Sequence, residues 1–410
     1  MRRQVVFPRG FRGSCMLLLV GAAVLVAGGG AAAGDTSAER LLLVHFMPWY
    51  EAQPTSTAWG WHWTMNHFQP DTVDNGRRSI ASKLYPEIGP YDSADPLVID
   101  YHLLLMKLAG IDGVIVDWYG RERFNDYAKL HRNTSRLIHR AEELGLHVAI
   151  CYEDRTIPEL VKGGRIPADG RAAQAAKDIS WLAENWFRLG HYVTIAGKPL
   201  LLSFGTDNLN DSEWSEALRA VKTPVAYVSQ GQQRTAAVGA FDWPVPSRGL
   251  GATEEFYRLS KGMAVAIPVA FPRFDDIYEQ AKLHPSYGSI PDNNGATFRK
   301  TLSAALKSPA AIIQIATWND WGEGTVIEPS VEFGARDLEV IQQARKQHLQ
   351  PSFRFTKDDL ALPGRLLEAR REAVGTDRAA ILDTLVMELA NGAVGSVRAE
   401  LGNGRKERAR

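Results

Sequence analysis

The chain alternates short apolar runs with stretches in which apolar residues return every three or four positions. LLLVHF at 41–46 reads as a buried strand, a nearly continuous apolar run with polar flanks. Similar runs lie at 113–119 (GVIVDWY), 146–153 (LHVAICYE), 199–204 (PLLLSF), 223–229 (TPVAYVS), 262–271 (GMAVAIPVAF) and 311–318 (AIIQIATW), with a weaker one at 238–244 (VGAFDWP). Between them, helical spacing covers Leu97 to Leu108, Asn125 to Leu144, Arg171 to Arg188, Ala296 to Leu306 and Ala335 to Gln347. Gly145 marks one helix end, and Ser212 is a candidate cap for a short helix. Eight strands mostly alternating with helices predict an α/β fold, a parallel (β/α)8 TIM barrel. The weak sixth run leaves a doubly wound open sheet as the alternative.

The predicted barrel occupies 35–350. After about Pro351 the segments LPGRLLEARRE and DRAAILDTLVMELANGAVGSVRAEL read as helices, so 351–410 is expected to be a helical extension with a charged tail. Residues 1–34 carry Arg2 and Arg3, an apolar run from Met16 to about Ala27 and a tail of small residues. That is the layout of an export signal, and the run is shorter than the ~20 residues that span a bilayer. The expectation is an exported protein, periplasmic or extracellular, with no membrane span after cleavage; an uncleaved anchor is the alternative. Of two cysteines, Cys15 falls in this signal and Cys151 in a strand, so neither a disulfide nor a Cys-based metal site is expected in the mature chain.

Charge narrows the partners. Lys and Arg total 47 and Asp and Glu total 47, so the formal charge is zero and a nucleic-acid partner is not expected. Of the 11 tryptophans, several gather near polar residues at strand ends and in the long loop 47–96, as a polyol pocket requires. A barrel places its working residues at the C-terminal ends of its strands. Strand eight runs into Trp318-Asn319-Asp320-Trp321-Gly322-Glu323-Gly324, which sets two carboxylates three residues apart between indoles. Glycosidic cleavage needs such a pair, one group to protonate the leaving oxygen and one to work at the opposite face. Apolar walls and a like charge both favour the protonated form of one of them. Glu328, beyond the turn and before Pro329, reads as structural, in a salt bridge or a cap. Other strand ends offer His45 with Trp49 and Tyr50, Asp117-Trp118-Tyr119 and Glu153, and the first loop offers Trp61-His62-Trp63 and His67. His45, His62, His67 and Asp95 lack a tight metal-ligand spacing, so neither a metal nor another cofactor is expected.

These residues also carry a resemblance. His45 with Pro48-Trp49-Tyr50, Trp61-His62-Trp63, Pro86 to Ser93, His102, Ala109 to Gly113, Asp117 to Gly120 and Trp318 to Thr325 are similar in order and spacing to glycoside hydrolase family 99, which contains endo-α-mannosidases and endo-α-mannanases. The last motif is also similar to family 71, the α-1,3-glucanases. The resemblance implies a metal-free barrel that cleaves inside an α-linked oligo- or polysaccharide with retention. It implies Asp320 as the base that deprotonates the sugar 2-hydroxyl and Glu323 as the acid. It further implies that the Trp118 loop lines a neighbouring sugar subsite and that Glu153 and Tyr50 hold hydroxyls; Trp49, His62, Trp63, Asp95, Tyr119, Trp318 and Asn319 are the other expected sugar-binding residues. The family usually has Glu where this chain has Asp320, which is shorter by about 1.5 Å of reach. A catalytically reduced glycan-binding protein on the same fold is therefore the alternative function, and a metal-dependent hydrolase a third.

Overall fold

The computed structural model describes residues 40–206 and 208–408. The expected export signal lies outside these residues. Eight staves build the barrel: β1 (Leu41–Phe46), β2 (Gly113–Trp118), β3 (His147–Glu153), β4 (Lys198–Phe204), β5 (Ala226–Gln230), β6 (Gly239–Phe241), β7 (Val265–Ile267, continued by Val269–Ala270) and β8 (Ile312–Ile315). All neighbouring pairs are parallel, and β1 pairs with both β2 and β8. The seventh stave is split at Pro268, which has no N–H to give a ladder. Its first half pairs with β6 and its second with β8, so the ring of nine parallel segments is nearly closed there. The open-sheet alternative is thereby excluded.

Helices α1 (Pro96–Ala109), α2 (Tyr127–Glu143), α3 (Thr156–Lys162), α4 (Arg171–Asn185), α5 (Asp211–Ala220), α6 (Leu250–Leu259), α7 (Ala296–Lys307) and α8 (Arg336–Ala344) surround it. α3 and α6 were not anticipated, and β5 passes to β6 without a helix. α5 is capped by Asn210 and not by Ser212, whose hydroxyl bonds the Asn210 side chain. α1 shows how local sequence sets its bounds. Asp95 accepts the Leu97 N–H at the N-terminus, Pro96 occupies the first turn, and Gly110 adopts a φ of 88° that ends the helix.

Strand alternation separates two apolar sets. Leu43, Ile115, Ala149, Cys151, Leu202 and Val228 fill the lumen. Val44, Val114, Val116, Trp118, Ile150 and Tyr152 face the helices. The C-terminal helices α9 (Leu362–Glu372), α10 (Arg378–Ala390) and α11 (Val394–Arg408) join the outer set through Leu366, Leu367, Leu385, Leu389, Val397 and Leu401. They pack on the barrel rather than standing apart, and Arg370 reaches Asp100 of α1 at 2.7 Å. The helical backbone also continues through most of the expected charged tail. No helix among the described residues is long and apolar enough to cross a membrane.

Candidate active site

The C-terminal ends of the strands surround a cavity of about 260 Å³. β1 supplies His45, and the loop after it supplies Met47 and Trp49. Asp117 comes from β2, Glu153 and Arg155 from the end of β3, Phe204 from β4, and Trp243 from just beyond β6. The segment after β7 adds Phe274, Tyr278 and Tyr287, and the turn after β8 adds Asp320 and Glu323. Four carboxyl groups, one guanidinium and a ring of aromatic side chains thus meet in one space.

The turn after β8 is built by its own hydrogen bonds. Thr317 Oγ1 accepts the Asp320 N–H at 2.8 Å, and Asp320 Oδ1 accepts the Glu323 N–H at 3.1 Å. Gly324 closes it with a φ of 69°, where a Cβ would stand 2.9 Å from the Asp275 carbonyl oxygen. The Glu323 carbonyl accepts the Asp275 N–H at 2.9 Å, which ties the turn to the β7 segment. Tyr278 donates toward Glu323 Oε1 at 3.5 Å.

Electrostatics divides the carboxyls. Burial pushes Asp320 up to about 6, against the backbone N–H groups of Glu323 and Gly322 and the charge of Arg155. Burial and then the Asp320 charge push Glu323 well above the usual range. Asp320 therefore ionises first and Glu323 retains its proton, the division that acid–base work on one bond requires. Burial raises Glu153 to about 7 despite Arg155, whose Nε lies 2.5 Å from Glu153 Oε2. Burial and the neighbouring Glu153 raise Asp117 well above the usual carboxylate range. His45 is pushed down to about 4 by burial and bonds Gln314 Oε1 through Nε2 at 2.8 Å, so it is a neutral floor residue.

The structure brings together Asp320, Glu323, Trp49 and Glu153 from the expected set. It places the others elsewhere. Trp118 and Trp318 are fully buried on the outer face, where Trp318 Nε1 donates to His102 Nδ1 at 2.9 Å and Trp118 packs on Trp186. Strand alternation turns Asp117 inward and the next residue outward. Trp63 is buried with its Nε1 on the Tyr91 carbonyl at 2.8 Å. Asp95 caps α1. Asn319 is buried and brackets Met47, accepting its N–H at 2.8 Å and donating to its carbonyl at 3.0 Å. Tyr50 is buried beneath the turn, His62 stacks behind Trp49 at 4.3 Å, and Tyr119 accepts from Arg155 at 3.2 Å; none of the three lines the cavity. Arg155, Phe204, Trp243, Tyr278 and Tyr287 were missed. Asp117 was noted at its strand end, and Arg155 carries the same kind of signal two residues past Glu153. Tyr278 and Tyr287 lie in a long loop with no periodic signature. His45, His62 and Asp95 are each engaged separately. No group of three or more His, Cys, Asp or Glu among the described residues is placed to hold a metal ion.

The family model for glycosyl hydrolase family 99 matches residues 39–219, which ends before the turn that carries Asp320. A human glycoprotein endo-α-1,2-mannosidase-like protein is 24% identical over 307 residues, 66% of this chain and 64% of that protein. Rat glycoprotein endo-α-1,2-mannosidase is 24% identical over 313 residues, again 66% of this chain and 64% of the relative. The chain thus spans somewhat less than two thirds of these relatives. The solved family 99 endo-α-mannosidase of Bacteroides thetaiotaomicron superposes with a TM-score of 0.55 at 19% identity, covering 74% of this chain and 97% of that one. Over residues 39–219 the chain is similar in sequence to glycoside hydrolase family 99, and it shares the barrel fold of the solved endo-α-mannosidase.

Proposed function

We propose that the protein is an exported, retaining, endo-acting glycoside hydrolase that cleaves α-linked glycans, α-mannoside first and α-1,3-glucan second. The observation that carries this is the meeting of Asp320 and Glu323 in one aromatic-walled cavity with their proton affinities set apart. The similarity to endo-α-mannosidases supports the mannoside.

In this reading the Asp320 carboxylate takes the proton of the sugar 2-hydroxyl, and that oxygen attacks the anomeric carbon. The bond to the leaving oxygen breaks as Glu323 delivers its proton there. Water then opens the 1,2-anhydro sugar with the two proton transfers reversed, so both residues return to their starting states. Glu153 and Arg155 hold hydroxyls beside them, and Trp49 and Trp243 offer faces to the sugar rings.

One observation favours a second reading, a glycan-binding protein without turnover. Asp320 is the shorter carboxylate, and its Oδ1 is already engaged by the Glu323 N–H. One assay separates the two. The purified protein is offered α-mannan, α-1,3-glucan and high-mannose oligosaccharides, beside Asp320→Asn and Glu323→Gln. Product from the wild type, lost in both variants, supports the hydrolase. Binding without product supports the second reading, and hydrolysis untouched by either substitution removes the assignment.

A further inference from the structure

Glu328 reads from sequence as a salt-bridge or capping residue, and it is neither. Among the described residues no Lys or Arg is paired with it, and it caps no helix. It is buried, and its Oε1 has no hydrogen-bond partner there. The nearest basic group is His102, whose Nδ1 lies 3.8 Å from Oε1. That nitrogen already accepts the Trp318 Nε1–H at 2.9 Å. A buried carboxyl with neither counter-ion nor full hydrogen bonding costs free energy. Its partners, the Tyr91 hydroxyl and the Trp321 indole N–H, show what that cost sustains.

Tyr91 donates its hydroxyl proton to Glu328 Oε2 at 2.8 Å. The Tyr91 hydroxyl oxygen in turn accepts Asn319 Nδ2–H at 3.1 Å and Trp321 Nε1–H at 3.2 Å. One donor and two acceptors exhaust a phenol. Asn319 and Trp321 are the neighbours of Asp320 on either side. On the far side of the same turn, Tyr50 donates to the Asn319 carbonyl at 3.0 Å and accepts the Trp321 N–H at 3.0 Å. Of these two clamps, only the Tyr91 one depends on an acceptor beyond the turn. Without Glu328 the Tyr91 proton would be a buried donor lacking a partner. The hydroxyl would then rotate away from the geometry in which it receives both flanks of Asp320.

We propose that Glu328 is a positioning residue: through the Tyr91 hydroxyl it fixes Asn319 and Trp321, and thereby the aim of the Asp320 carboxylate, without touching substrate. The proposal rests on the reading of Asp320 and Glu323 as the reacting pair. What the role requires is an acceptor at Oε2, not a charge.

The test compares Glu328→Gln, Glu328→Leu, Tyr91→Phe and the double variant Glu328→Leu/Tyr91→Phe, using kcat and KM on the glycan the wild type cleaves. Gln keeps an acceptor and stays within about threefold of wild type. Leu at 328 and Phe at 91 each lower kcat on the order of 10- to 100-fold with KM within about twofold, because a displacement near 1 Å acts on the reacting geometry. The double variant is no worse than the poorer single one, because both break the same chain. The proposal is overturned if Gln damages as Leu does, if the losses multiply in the double variant, or if kcat per folded molecule is unchanged while only the melting temperature falls. Crystal structures of Glu328→Leu and Tyr91→Phe add a readout independent of turnover. The Asp320 carboxylate is expected to shift, and an unmoved 319–321 turn overturns the proposal. A wild type that cleaves no glycan defeats the functional reading alone, since the crystal structures still show whether Glu328 sets the turn.

Discussion

The backbone N–H of Glu323 donates to the Asp320 carboxylate at 3.1 Å, so one acidic residue folds back onto the other. That bond favours the ionised form of Asp320, while the negative charge it stabilises discourages ionisation of Glu323. The turn thus orders the two proton affinities.

A bell-shaped pH profile follows. Asp320 must be ionised to act as base, so activity falls as pH drops below about 6. Glu323 must be protonated to act as acid, so activity falls again once pH rises past its raised pKa. Initial rates on the cleaved glycan across pH 4–10, a range of about six units, check both limbs. A profile flat on its acid side contradicts the base role.

Asp320→Asn removes the base while keeping its size. The expected loss in kcat is about 10²- to 10⁴-fold with little change in folding, as for removal of a general base. Rate measurements on α-mannan with circular dichroism as a folding control read this directly. A loss below about tenfold argues for another base.

Among the described residues Arg155 is the one guanidinium lining the cavity, and its charge lowers the pKa of Asp117, Glu153, Asp320 and Glu323 together. Replacing it with Met raises all four, so the acid limb of the profile moves to higher pH and activity near pH 6 falls first. An acid limb that stays in place, or moves downward, contradicts this sign.

Tyr287 lines the cavity with 54% of its surface exposed. Tyr287→Ala removes an aromatic wall without opening the core. KM should rise roughly twofold to tenfold, about 0.5–1.5 kcal/mol, at unchanged kcat and melting temperature. An unchanged KM would place the sugar away from this wall.

Arg370 joins α9 to α1 at Asp100, which also holds Arg140 at 2.6 Å. Arg370→Ala leaves Asp100 one remaining partner, so the cost is expected near 1.5–3 kcal/mol. Urea unfolding with a single transition measures it. No change would mean that the C-terminal helices dock through their leucines alone.

The sequence by itself determined the strands, their alternation with helices and the acidic turn after β8, because continuous apolar runs and helical spacing are local properties of the chain. Closure into a barrel rather than an open sheet was decided by the pairing of β1 with β8 and of β7 with its neighbours. It also brought Trp49, Glu153, Asp320 and Glu323 to strand ends. It could not say which neighbour of an inward residue points inward. Trp118 and Asp117 are adjacent in sequence, yet one packs under helices and the other lines the cavity, because a strand turns alternate side chains to opposite faces and closure decides which face is the lumen. Tyr91 and Glu328 are 237 positions apart and meet only in the folded barrel. Arg155 after β3 and the loop after β7 that carries Tyr278 and Tyr287 likewise meet only in the folded barrel. Such pairings depend on how distant segments pack, and no local pattern of residues encodes that.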